Sequence, residues 1–182
     1  MRPLKPEGQG ALGTLARADG VGVARFEVRL EHSSAEVWSA ITDPTRLALW
    51  HARVEGDLRP GGEFRILVEA DDWEGTGQVM ACEPPSRLLV TSRESDDSWR
   101  RGRGAPPFDA VTEVRLVPDG AATILNLEVR GLPLGPLAAF GAGWQIHLEN
   151  LAAYLAGRDR GDTEARWMEL IPAYEAQALG LR

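Results

Sequence analysis

The hydrophobic periodicity of the sequence changes once, and that change constrains the fold more than any other feature. Before Arg130 most apolar runs alternate with polar residues at period two, which is typical of strands with one buried face. After Gly131-Leu132-Pro133 the apolar residues recur at helical spacing. This order of strands followed by a long helix favours an α+β fold over a parallel doubly wound sheet.

Turn and cap residues divide the first part of the chain into elements. A hairpin turning at Asp19-Gly20 is predicted first. Two short helices follow, the first capped by Ser33 or Ser34 and the second beginning at Asp43-Pro44. Strands with hairpin connections are then predicted over residues 64–68, 73–82, 87–93, 111–117 and 122–130.

A single long helix follows the strands. Its apolar stripe consists of Trp144, Leu148, Leu151 and Leu155, and Gly157 is available as its C-terminal cap. Gly75-Thr76-Gly77 places two glycines on one face of a strand, which predicts sharp curvature or close approach of another backbone. Since a strongly curved sheet is wider than one helix, we expect a cavity between them.

The ends of the chain lie outside this pattern. Residues 1–12 are interpreted as a flexible leader, residues 13–157 as the domain, and residues 158–182 as a C-terminal helical extension packed on it. Because Pro172 interrupts the apolar residues after Asp162, the extension is predicted to be a short, kinked or broken helix on the outside.

Composition excludes several classes of protein. A length of 182 residues fits one domain, and the formal charge of -7 disfavours nucleic-acid binding. No apolar run approaches the length of a membrane span, and the N-terminus has no signal-peptide core, so a cytoplasmic location is expected. Cys82 is predicted to be a buried structural thiol. His32, His51 and His147 occur singly, so no metal or other cofactor is predicted.

Four segments carry a family likeness: FEVRLEHSSAEVWSAITDPTRLALW, the Pro-Gly-Gly before Phe64, GQVMACEPPSRLLVTS and GWQIHLENLAAYLAG. Over about residues 13–157 the chain resembles the START-like (SRPBCC) superfamily, and in particular bacterial proteins similar to the C-terminal domain of the heat-shock chaperone ATPase activator. The resemblance implies a helix-grip fold, in which a curved antiparallel sheet wraps around the long C-terminal helix, and a deep apolar pocket. It implies no family-wide catalytic residue.

The candidate ligand-binding residues are mainly aromatic and apolar. They are Trp38, Trp50, Phe64, Ile66, Trp73, Trp99, Phe108, Phe140, Trp144, His147, Leu148 and Leu151. Core packing is the alternative role for the tryptophans. For His147 the alternatives are a core or rim position and a pocket position, in which Glu74 would be its carboxylate partner. Arg100, Arg101 and Arg103, close to Trp99, are interpreted either as a solvated cluster or as a cap that holds an anionic headgroup.

Three functions remain open from the sequence. The leading hypothesis is non-enzymatic binding of a small hydrophobic or amphipathic ligand in an internal cavity. The alternatives are a polyketide cyclase or aromatase-like enzyme that uses His147, and a chaperone-linked or self-associating interaction protein. Contact with the chaperone is disfavoured because only about twelve residues precede the first strand, where eukaryotic activators carry a further domain. A homodimer stays open.

Overall fold

The computed structural model describes residues 11–68, 73–94 and 108–181. The strands are β1 (Thr14–Ala18), β2 (Val21–Leu30), β3 (Arg53–Gly56), β4 (Glu63–Val68), β5 (Trp73–Glu83), β6 (Arg87–Glu94), β7 (Asp109–Asp119) and β8 (Ala122–Leu132). The helices are α1 (Ser34–Thr42), α2 (Pro44–Trp50), α3 (Leu137–Leu155) and α4 (Thr163–Leu179).

The strands form one antiparallel sheet in the order β1-β2-β8-β7-β6-β5-β4-β3. Every pair of adjacent strands is consecutive along the chain, except β2 and β8. Helices α1 and α2 connect the end of β2 to the start of β3, and α3 follows β8. This arrangement confirms the predicted α+β helix-grip fold.

Local sequence chemistry sets the predicted turns and caps. Asp19 and Gly20 both have positive φ, 51° and 83°, as a type I′ hairpin turn requires. Ser33 caps α1 by accepting a hydrogen bond from the Glu36 amide at 3.3 Å. Asp43 caps α2 by accepting from the Thr45 amide at 2.8 Å, directly before Pro44. These predictions are confirmed.

Gly157 ends α3 as predicted. Its φ of 66° is left-handed, which glycine adopts without a steric penalty from a Cβ atom. The Gly157 amide donates to the Tyr154 carbonyl at 3.0 Å, and the Arg158 amide donates to the Ala153 carbonyl at 2.9 Å. These two bonds form a Schellman motif that satisfies the last carbonyls of the helix.

Strand register defines two faces of the sheet, because residues paired across antiparallel strands share a face. Phe26 pairs with Leu127, Leu127 with Val114, and Val114 with Leu88. Phe26 and Leu127 belong to the core that also contains the buried side chains of α3. We call this face the inner face and the opposite face the outer face.

Gly77 allows a close approach at the inner face of β5. A Cβ atom there would collide with the ring of Phe64 and lie 2.6 Å from the carbonyl oxygen of Thr91. The close approach predicted for the glycine pair is therefore found at Gly77, where the neighbours are a ring and a backbone carbonyl. A register shift between Val79 and Ala81 marks a bulge in the same strand, and bulges increase local bending.

Helix α4 corrects the prediction for the C-terminal segment. It is one helix of 17 residues with Pro172 inside it, capped by Asp162, rather than a short or broken one. Leu170 and Tyr174 are fully buried in the core, so the helix is not merely packed on the outside. These two side chains lie on either side of Pro172 and hold both halves of the helix on the domain.

Two smaller expectations also need correction. The edge strand β3 was missed because four residues, Arg53–Gly56, are too few to show a clear period. Cys82 was predicted to be buried, but its side chain is only partly buried. Its partner across the strands is Leu88, which places Cys82 on the inner face.

Gly77→Ala should destabilise the protein, because the added methyl group meets the Thr91 carbonyl and the Phe64 ring. We expect the free energy of unfolding in urea to fall by about 1–3 kcal/mol. Gly135→Ala is the matched control, since a Cβ atom there meets nothing within 4 Å. Equal stability of the two variants would contradict the packing described for β5.

Candidate functional site

The interior between sheet and helices is unevenly filled. Under β2 and β8 most inner-face side chains are fully covered, with no more than 5% of their surface exposed: Ala24, Phe26, Leu125, Leu127 and Val129. Val28 of β2, which pairs with Leu125, is only partly buried. Helix α3 lies close to β1 and β2 on this side, and to α1, α2 and α4. This part of the interior is a solid hydrophobic core.

The inner face of the remaining strands is covered less completely. Phe64 of β4 and Ala110 and Leu116 of β7 face inward and are buried. Five other apolar inward-facing side chains of β3, β4, β6 and β7 are only half-buried: Val54, Ile66, Leu88, Val90 and Val114. In the part of the chain described, β4, β5 and β6 are not among the close neighbours of α3. These side chains point toward the helices, and part of their surface is left uncovered by the described residues. We call the region that they face the interior cavity.

Aromatic rings surround the helical side of this region. Phe108, just before β7, meets Phe140 of α3 edge to face, with ring centroids 5.3 Å apart. Trp50 of α2 is buried, and its indole N–H donates to the Ala40 carbonyl at 3.0 Å. Such aromatic walls suit an apolar ligand, although they also serve core packing.

Two histidines meet between α2 and α3. The ring centroids of His51 and His147 are 4.4 Å apart, and the rings are nearly perpendicular. Trp50 stacks on His51 at 5.3 Å, and Trp144 contacts both histidines, with centroids 5.6 Å and 5.8 Å away. The Nδ1 atoms of both histidines are buried and have no hydrogen-bond partner among the described residues.

Burial keeps both imidazoles neutral near pH 7. It lowers the pKa of His51 well below its usual value of 6.5, and the neighbouring His147 lowers that pKa further. Burial likewise lowers the pKa of His147 to about 4, with a smaller contribution from the positive charge of Arg160. A neutral imidazole carries one N–H donor and one acceptor nitrogen.

The predicted ligand-binding residues are found in three environments. Phe64 and Ile66 lie on the inner face. Phe108 and Trp144 are partly buried against the core, where Phe108 contacts the buried Phe140 and Trp144 contacts His147. Trp50, Leu148 and Leu151 are buried in the core, and Trp38 packs half-buried against it. Trp99, Arg100, Arg101, Arg103 and the side chain of Trp73 lie outside the described residues. A ligand-binding role for this set stays a prediction.

The structure adds one histidine contact that the sequence did not show and corrects one suggested partner. His51 and His147, which occur singly in the sequence, are brought into contact because α2 lies against α3. Glu74 is not the partner of His147: it is exposed, and it accepts a hydrogen bond from Arg65 on the outer face. No local motif could have signalled the histidine pair, since its members come from separate helices.

A second concavity of about 960 Å³ lies across the outer face of β3–β7. Its lining includes Glu55, Glu63, Arg65, Thr76, Gln78 and Thr91, so it is polar. At its border Arg93 pairs with Asp109 at 3.4 Å. We call it the outer groove; its lining also includes Phe64 and Gly77, but charged and polar residues predominate in it.

Two further classes of feature were searched for. No group of three or more histidine, cysteine or acidic side chains that could hold a metal ion occurs within residues 11–68, 73–94 and 108–181. No helix in these ranges is long and apolar enough to cross a membrane.

The curved antiparallel sheet, the long helix against it and the space between them define a helix-grip protein of the START-like superfamily. A family model described as "Activator of Hsp90 ATPase homolog 1-like protein" matches residues 31–156. The chain therefore belongs to this family. No curated protein matches it.

Solved structures extend the comparison. The crystal structure of CalU16 from Micromonospora echinospora is 27% identical, with a TM-score of 0.72, and the match covers 92% of this chain and 97% of CalU16. DynU16, a protein from the dynemicin biosynthetic locus, is 26% identical with a TM-score of 0.64, over 78% of this chain and 50% of DynU16. CV1439 from Chromobacterium violaceum is 26% identical with a TM-score of 0.61, over 73% and 96% of the two chains.

The histidine pair should make stability depend on pH. Because the folded-state pKa of His147 is lowered from 6.5 to about 4, the unfolded chain binds more protons between these values. Stability is therefore lost as pH falls from 6.5 to 4, by at most about 1.4 kcal/mol per pH unit for one histidine. Urea unfolding of His147→Gln should show a shallower loss than the wild type. An equally steep loss in this variant would contradict the burial described.

Proposed function

We propose that the protein binds a small hydrophobic or amphipathic ligand in the interior cavity and does not catalyse a reaction on it. The observation that carries this proposal is the set of half-buried apolar side chains on the inner face of β3–β7. In a fully packed domain such inward-facing side chains would be covered by neighbours, as most of those of β2 and β8 are. Ligand sites in proteins are typically concave and mainly apolar.

The relatives support a small organic molecule as the ligand. DynU16 comes from a biosynthetic locus, and this chain matches it at 26% identity. The family description names a chaperone ATPase activator, but a family name transfers no activity to a particular member. The half-buried inner face also argues against an interaction protein whose core is filled by its own side chains.

An enzyme of cyclase or aromatase type is the second candidate, favoured by the imidazoles of His51 and His147 beside Trp144. A general acid or base works best when its pKa lies near the working pH. The pKa of His147, lowered to about 4, makes the ring a weak base and leaves it unprotonated at neutral pH. Binding without catalysis therefore fits these groups better.

Filling the cavity should abolish binding. Val90→Trp places a large side chain on the inner face of β6, so the neutral fluorescent probe N-phenyl-1-naphthylamine should bind at least about tenfold more weakly than to the wild type. The measurement is a fluorescence titration of both proteins, with stoichiometry checked by native mass spectrometry.

Thr91→Trp is the matched control, because Thr91 is the next residue of the same strand and lies in the outer groove. It should bind the probe as the wild type does. Binding lost in Thr91→Trp and kept in Val90→Trp would place the ligand on the outer face and contradict the proposal. Failure of the wild type to bind the probe would also contradict it.

A further inference from the structure

The His51–His147 pair contains the buried polar atoms that the fold leaves unsatisfied. In the described part of the chain, no other buried side-chain nitrogen or oxygen lacks a hydrogen-bond partner. Other buried polar side chains are paired: Gln145 bonds to Tyr174, and Thr123 bonds to the His32 carbonyl. Because native proteins rarely leave such groups unpaired, the pair needs an explanation.

The position of the pair connects it to the interior cavity. His51 follows α2 directly and stands two residues before β3, whose inward-facing Val54 is half-buried. His147 lies on α3 three residues after Trp144, on the side that faces α2. The two rings thus lie where α2, α3 and the β3 edge of the sheet meet. Trp50 and Trp144 flank them with flat apolar surface.

The chemistry of two neutral imidazoles restricts the group that they can recognise. Each ring has one N–H donor and one acceptor nitrogen, so the pair can offer a donor and an acceptor to the same group. A hydroxyl group both donates and accepts. A carboxylate only accepts, and it would have to lose its hydration at a largely buried site. Among the described residues, the cation that acts on His147 is Arg160, which is exposed, so solvent screens its charge.

We propose that the His51–His147 pair is the polar recognition point of the interior cavity, and that the ligand is a flat apolar molecule carrying a neutral hydroxyl group. This inference rests on the proposed function and specifies its ligand class. Both side chains retain some exposed surface. Rotation of a ring about its Cβ–Cγ bond turns a nitrogen toward that surface and the bound hydroxyl.

Isothermal titration calorimetry with 2-naphthol and 2-methylnaphthalene tests the inference, because the two probes differ only in a hydroxyl or a methyl group. For each protein variant we take the dissociation constant of 2-methylnaphthalene divided by that of 2-naphthol. The two probes differ in hydrophobicity by the same amount for every variant, so a change in this ratio between variants reports the hydroxyl group. In His147→Leu and His51→Leu the preference for 2-naphthol should fall by about fivefold to tenfold relative to the wild type, because one hydrogen bond to the hydroxyl group is lost.

Three further measurements separate recognition from a structural effect. His147→Asn keeps a donor and an acceptor near the position of Nδ1 and should restore most of the preference. His32→Gln changes the remaining histidine of the sequence and should leave the preference unchanged. Thermal unfolding of each variant shows which ones are folded at the temperature of the titration.

The outcomes distinguish this inference from the proposed function. If the wild type binds both probes and neither leucine variant changes their ratio, the inference is overturned and cavity binding stands. If the wild type binds 2-naphthoate more tightly than 2-naphthol, the neutral-hydroxyl class is overturned. If the wild type binds neither naphthalene probe, the proposed function fails and this inference fails with it.

Discussion

A single helix cannot cover the inner face of an eight-stranded sheet, and the arrangement of the interior depends on this mismatch. A helix with its side chains is about 10–12 Å wide, whereas eight strands laid flat would extend over about 33 Å. Curvature of the sheet, to which the β5 bulge contributes, reduces the difference, and α1 and α2 cover part of the remainder. The inner face of β3–β7 is the part left incompletely covered.

Polar contacts fix α3 toward one side of the sheet and so determine where the cavity lies. The Tyr174 hydroxyl donates to Gln145 of α3 at 2.8 Å and accepts from the Gly13 amide at 2.9 Å. Arg166 of α4 binds Glu149 of α3 through two hydrogen bonds of 2.7 Å and 2.8 Å. These bonds tie α3 to α4 and to Gly13, which directly precedes β1. Helix α3 is thereby held over β1 and β2 rather than centred on the sheet.

Sequence patterns predicted what depends on neighbouring residues. The Asp19-Gly20 turn, the Ser33 and Asp43 caps and the Gly157 terminus all follow from local steric and hydrogen-bonding preferences. Helix α4 was misjudged because Pro172 carries a strong local signal, whereas the burial of Tyr174 depends on residues far away in the chain.

The site was less predictable than the fold for the same reason. Aromatic candidates such as Phe108 and Phe140 could be named from composition and spacing, but the contact between their rings is tertiary. The meeting of His51 and His147 depends on how α2 lies against α3, and no spacing in the sequence encodes it. The register of a strand determines which of its residues face inward. That register is set by the pairing of the strands in the folded sheet, so the sequence of one strand does not reveal it.

The central claim is that ligands enter the interior and do not occupy the outer groove. The most direct test is a methyl and indole NMR titration of the wild type with N-phenyl-1-naphthylamine. Binding inside should shift the methyl signals of Val90 and Val114 and the indole signal of Trp144, and should leave the Thr76 and Thr91 methyl signals in place. Shifts confined to Thr76 and Thr91, which line the outer groove, would contradict the claim.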